Sequence, residues 1–153
     1  MLNNYVPILV LLVLAFGFAG FSVGAATFRG GAIDLRKDVG KVDEVAARHD
    51  FADMRGSRGI AQLRWATFGA VTKENSQPHV VRCKSFLYGA HNGNVTNCDA
   101  LKVWLSSEGH DVVSDNDGEM VVHTVEHFFD LEIRKSPGAG AQGRRLCMRR
   151  ALV

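Results

Sequence analysis

Gly89-Ala90-His91-Asn92-Gly93-Asn94-Val95-Thr96-Asn97 is the stretch on which the reading of this chain turns. A β-prone run at 86–90 enters a tight Asn-Gly turn, and the residues beyond it open a helix over 97–108. Asn97 or Thr96 caps that helix, Leu101, Trp104 and Leu105 form its apolar stripe, and Gly109 stops it. An amide side chain beside a glycine N–H at such a bend makes a pair of donors suited to a developing oxyanion. Upstream, 80–83 pairs with 86–90 around Lys84-Ser85. A strand at 60–65 carries Arg64, followed by a loop over 69–78. An arginine in an otherwise apolar strand needs an anionic partner, and its fork suits a carboxylate held by two parallel hydrogen bonds.

Outward from there, 26–28 and 33–36 flank Gly30-Gly31 and read as two strands joined by a glycine turn. Residues 41–49 place Val42, Val45 and Ala46 on one helical face. Downstream, 111–114 reads as a short strand and 118–130 as a helix with Val121, Val122, Val125, Phe128 and Phe129 inward. Residues 144–153 open a further helix. The run Ser114-Asp115-Asn116-Asp117-Gly118-Glu119 puts a carboxylate at a helix start, where its plainest role is an N-cap. Strands before and between helices, without regular βαβ alternation, predict an α+β layered domain.

A length of 153 residues allows one domain, and 46% hydrophobic with 22% charged residues excludes a disordered or fibrous chain. Eighteen basic against 16 acidic side chains leave +2, so no chain-wide attraction to nucleic acid is expected. The basic tail Arg144, Arg145, Arg149 and Arg150 reads as a solvated helix face. No charged side chain precedes Arg29, and 16 of the 21 residues in 5–25 are apolar, enough for one bilayer-spanning helix. A cleaved signal peptide competes, but residues 1–4 carry no Lys or Arg. The expectation is therefore a membrane anchor in 1–25, single-pass, with 26–153 as a soluble part placed in the cytoplasm by Arg29, Arg36, Lys37 and Lys41.

Cys83, Cys98 and Cys147 have no paired spacing and read as free thiols. Glu119, His123 and His127 recur at helical spacing and could hold a metal, but they lack a second cluster. A hydrogen-bonded helix face is the expectation, with no metal and no cofactor.

Taken together, the Arg64 segment, the 89–97 bend and the 114–119 run resemble the glutaminase domain of class II glutamine amidotransferases. These are N-terminal-nucleophile hydrolases, and the closest look is to glucosamine-6-phosphate synthases. The resemblance runs from about residue 26 to the end, as an incomplete type-2 amidotransferase domain. It implies a partial four-layer αββα fold behind the transmembrane-like helix. It implies hydrolysis of L-glutamine to glutamate and ammonia, with a separate synthase domain passing the ammonia to an acceptor such as a sugar phosphate. By motif, Arg64 would grip the substrate α-carboxylate and Asp117 its α-ammonium. Thr67 would line the site, and the Asn92 side chain with the Gly93 N–H would form the oxyanion hole.

The departures weigh on activity. The family's chain-terminal nucleophilic cysteine has no counterpart, since no cysteine precedes Cys83. Phe68 and Gln77 stand where the synthases usually carry histidine. The chain as written is expected to be inactive. A membrane-anchored, non-catalytic glutamine-binding or regulatory module is the alternative.

Overall fold

The computed structural model describes residues 21–65 and 70–152. Its first element, β1 (Phe21–Arg29), is the centre of a three-stranded antiparallel sheet in the order β2-β1-β3, with β2 at Ala32–Val39 and β3 at Arg58–Trp65. Gly30 and Gly31 have φ of +58° and +89°, so the β1–β2 turn uses the left-handed conformations that a tight hairpin needs. Register follows from that turn, with Ala26 opposite Leu35 on one side and opposite Ile60 on the other.

This strand overturns the expected membrane helix. Phe21 to Ala25, the end of the stretch read as a bilayer span, is extended backbone hydrogen-bonded on both edges. Residues 22 to 26 are all buried, which explains the misreading. A central strand covered on both faces uses the same unbroken small and apolar run as a hydrocarbon-facing helix. Among the described residues no helix is long and apolar enough to cross a membrane. The single-pass anchor, its cytoplasmic orientation and the helix preceding the αββα arrangement are therefore not supported. Residues 5–20 of that stretch lie outside the described residues.

Gly24 has a specific task in β1. A Cβ there would stand 2.1 Å from the Gln77 carbonyl oxygen and 2.7 Å from Lys37 Cβ, so the strand and the 70–78 loop meet backbone to backbone. Lys37 Nζ adds to the junction by donating to the Ser76 carbonyl at 2.6 Å. Gly24→Ala should lower stability by about 1–3 kcal/mol through forced backbone displacement. A chemical melt that leaves the midpoint unchanged would show that the loop does not rest on this strand.

A second sheet is the hairpin β4 (His79–Val81) with β5 (Leu87–Gly89). Helix α1 (Val42–Arg48) packs on β1 and β2 through buried Val45. Helix α2 (Cys98–Ser107) buries Cys98 and Leu105 against Met120 of α3 (Asp117–Lys135), and α4 (Ala141–Ala151) packs on α3. Helix α3 also lies on β4 and β5, so closely that a Cβ at Gly89 would reach within 2.8 Å of Val122.

Two local expectations need correction. Residues 111–114 pair with no strand; instead the Val113 and Ser114 N–H groups donate to the two carboxylate oxygens of Glu119, at 3.1 and 2.5 Å. A side chain here does what a ladder would otherwise do for the backbone. The inward stripe of α3 also differs. Val122 and Phe129 are buried, but Phe128 is 43% exposed, and Glu119, His123 and Glu126 fill the rest of the buried face.

Candidate functional site

One cleft of about 620 Å³ gathers most of the residues singled out in the sequence. Arg64 and Trp65 from β3 form one wall, His91 to Asn94 another, and Asn116 with Asp117 at the start of α3 the floor. Arg64, Asn92, Gly93 and Asp117 thus share one space, while Thr67 lies outside the described residues. Trp65 is 46% exposed and lines the cleft.

The helix start shows how Asp117 becomes available. Asn116, not Asp117, is the N-cap of α3, its Oδ1 accepting from the Gly118 N–H at 3.1 Å. Asp117 is released from capping and turns its Oδ2 to the Val95 N–H at 2.9 Å, which fixes the far side of the 89–97 bend. The near side is held by Gln77, a residue that sequence reasoning noted only as a departure. Its amide accepts from the His91 N–H at 2.6 Å and donates to the His91 carbonyl at 3.0 Å. The His91 ring folds over Gly93, where a Cβ would stand 2.8 Å from its Nε2. A side chain at 93 would therefore push the ring aside. His91 Nδ1 is buried with no hydrogen-bond partner among the described residues and lies 3.9 Å from Asp117 Oδ2.

The electrostatics are those of a site with two opposite charges. Arg64 is buried, which pushes its guanidinium pKa down, and the charge of Asp117 opposes that shift. The 70–78 loop is tied to both walls. Asn75 donates to the Ala70 carbonyl at 2.9 Å and accepts from the Asp115 N–H at 2.9 Å, and Arg64 Nη1 donates to the same Ala70 carbonyl at 3.4 Å.

Beneath the floor, His79 Nε2 lies 3.0 Å from Asn116 Oδ1, the same atom that caps α3. Burial, aided by the charge of Lys37, holds His79 down to about 4 from its ordinary 6.5. The fold keeps this ring neutral, whereas the unfolded chain takes up a proton below about 6.5. More protons are then bound in the unfolded state, so stability should fall as pH drops from 6.5 towards 4, by up to about 3 kcal/mol. Urea midpoints at pH 7 and 4.5 for the protein and for His79→Gln test this; equal acid losses in both would refute it.

A second polar cluster contains His123, one of the three residues the sequence offered as a metal set, but with partners that the sequence reading did not name. His110, just after α2, meets His123 and Glu126 of α3, with Cys83 alongside. Burial would push the Glu126 carboxyl up, but the Lys84 and Ser85 N–H groups and His123 outweigh it and hold it below its ordinary value. Glu119 follows the same pattern, with burial outweighed by His123 and the 113–114 backbone, and is held to about 2.

No family model matches the chain. It is 42% identical over 125 residues to the glutamine–fructose-6-phosphate aminotransferase of Methanothermobacter thermautotrophicus, covering 81% of this chain and 21% of that protein. The enzyme of the same name from Methanococcus maripaludis is 43% identical over 105 residues, covering 69% of this chain and 17% of that one. A bacterial counterpart from Caldanaerobacter subterraneus subsp. tengcongensis is 31% identical over 128 residues, or 83% and 21%. The chain is homologous to a segment of the glutamine–fructose-6-phosphate aminotransferases. It spans about a fifth of the length of these relatives. The likeness to these enzymes supports a glutamine amidotransferase-type role.

Proposed function

We propose that the cleft receives L-glutamine, as the glutaminase part of a glutamine–fructose-6-phosphate aminotransferase-like protein. The observation that carries this reading is a cation and an anion, Arg64 and Asp117, in one cleft with Asn92 and Gly93. A free amino acid presents a carboxylate and an ammonium on one carbon, and only a site with both opposite charges recognises the pair. Arg64 takes the α-carboxylate and Asp117 the α-ammonium. The side-chain amide then points towards the 92–93 bend, where the Asn92 amide and Gly93 N–H stabilise the oxyanion of its hydrolysis to glutamate and ammonia. Transfer of that ammonia to an acceptor such as a sugar phosphate belongs to a synthase domain.

The described lining of the cleft contains no cysteine: Cys98 and Cys147 are buried elsewhere and Cys83 stands with the His110 cluster. On this reading the sequence as given binds glutamine without turning it over. The expected result is heat on calorimetric titration with millimolar L-glutamine and no ammonia release. Absence of heat would refute glutamine binding. Ammonia release that disappears in Asn92→Ala would refute the inactivity and reveal a nucleophile within the chain.

A further inference from the structure

We propose that Cys83, His110, His123 and Glu126 form a binding site for one divalent transition-metal cation of the zinc type. His110, His123 and Glu126 are 4%, 1% and 0% exposed, and Cys83 is half-buried. His110 Nδ1 lies 3.3 Å from His123 Nδ1 and 3.1 Å from Glu126 Oε2, and His123 Nδ1 lies 3.2 Å from the same oxygen. The three atoms form a nearly equilateral triangle. Tetrahedral zinc with nitrogen and oxygen bonds of about 2.0–2.1 Å requires ligand atoms about 3.3 Å apart, which is this triangle.

Without a metal the triangle is held by hydrogen bonds to one carboxylate oxygen. The other oxygen of Glu126 is taken by the Lys84 and Ser85 N–H groups, at 2.9 and 3.0 Å, as befits an ionised carboxylate. Its Oε2 is then an acceptor. If both imidazole Nδ1 atoms carry protons, both donate to that oxygen, with the two nitrogens only 3.3 Å apart. If either does not, a nitrogen lone pair faces the carboxylate oxygen. A cation turns all three lone pairs inward and takes the place of those protons.

The surroundings fit metal ligation. Ligating histidines characteristically offer their second ring nitrogen to a carboxylate or another acceptor. His110 Nε2 lies 3.2 Å from His127 Nδ1, and His123 Nε2, buried without a hydrogen-bond partner among the described residues, is 3.7 Å from Glu119 Oε1, which would have to close on it. The fourth position falls to Cys83, whose Sγ is within 4.8 Å of each of the other ligand atoms and accepts from the Asp111 N–H at 3.2 Å. A shift of about 1 Å brings the sulfur to bonding distance, given Zn–S of about 2.3 Å. Its thiol proton leaves to solvent as the thiolate binds. Such an ion would pin the 82–85 connection and the 109–113 segment to α3, the helix whose first turn carries Asp117.

Co²⁺ titration of the chelator-treated protein tests the site. The expected result is uptake of one equivalent, with the intense visible bands of tetrahedral cobalt and a thiolate-to-cobalt charge-transfer band. Cys83→Ser should abolish the charge-transfer band while the chain stays folded, and Glu119→Gln should weaken uptake about 10- to 100-fold. No stoichiometric uptake, a weak octahedral spectrum, or a spectrum unchanged in Cys83→Ser would overturn the proposal.

Discussion

Arg64→Ala is expected to lower the affinity for L-glutamine by about 10- to 150-fold, the equivalent of a charge-assisted hydrogen-bonding partner worth about 1.5–3 kcal/mol. The guanidinium is the buried cation lining the cleft that holds Asp117, Asn92 and Gly93. Loss of affinity alone would not identify its partner, so the ligand must be varied as well. The protein should bind L-glutamine far better than the derivative whose α-carboxylate is converted to a neutral amide. Arg64→Ala should bind both equally poorly, because the group that reads the difference is gone. Asp117→Asn should show the mirror image, losing discrimination against a glutamine analogue without its α-ammonium. The isosteric amide leaves an oxygen in place for the Val95 N–H. Calorimetry on each of these protein–ligand pairs decides the matter. A variant at Arg64 that still prefers the carboxylate form would place the anion subsite elsewhere.

Much of this site was legible because its chemistry is local. An arginine in an apolar strand, an Asn-Gly bend before a helix and an acidic helix start are each visible in a few consecutive residues. The cleft brings all three together. What could not be read was the division of labour at contacts distant in sequence. Asn116 and Asp117 are adjacent acceptors at one helix start. Only the fold shows that Asn116 caps and Asp117 reaches back 22 residues to Val95. Gln77 looked like a tolerated replacement, yet it clasps His91 across 14 residues. The first strand was misread for a different reason. Periodicity is silent for a run buried on both faces, so 21–25 carried no signal separating a central strand from a hydrophobic helix. The buried face of α3 failed for the converse reason. Glu119, His123 and Glu126 are polar types that a hydrophobic count assigns to solvent, and their partners at 83, 84, 85 and 110 lie on other segments. One signal was available: His123 and Glu126 are three residues apart and flank the apolar stripe on the Val122 and Phe129 side.

That face carries the largest expected effect on stability. Glu126→Ala should destabilise the chelator-treated protein by about 3–5 kcal/mol, the usual consequence of removing one member of a buried charged network. Four groups lose their partner at once. The Lys84 and Ser85 N–H groups, at 2.9 and 3.0 Å, face a void, and the imidazoles of His110 and His123, at 3.1 and 3.2 Å, lose their acceptor. A void in a fully buried position admits no easy replacement by solvent, since the Glu126 side chain is 0% exposed. Against a total of about 5–15 kcal/mol for a domain of this kind, the loss is a fifth or more. The melting temperature should fall by about 10 °C or more. Glu126→Gln separates charge from shape. Its amide oxygen still accepts from the two backbone donors, so its loss should be the smaller of the two. The ordering follows from which groups are left unpaired: two backbone donors and two rings in the alanine variant, and only the charge-dependent ring contacts in the glutamine variant. Equal losses in the two variants would mean that the carboxylate charge alone matters. Losses below about 1 kcal/mol in both would mean that water reaches the cluster, and that the hairpin, the 109–113 segment and α3 are not joined through this side chain.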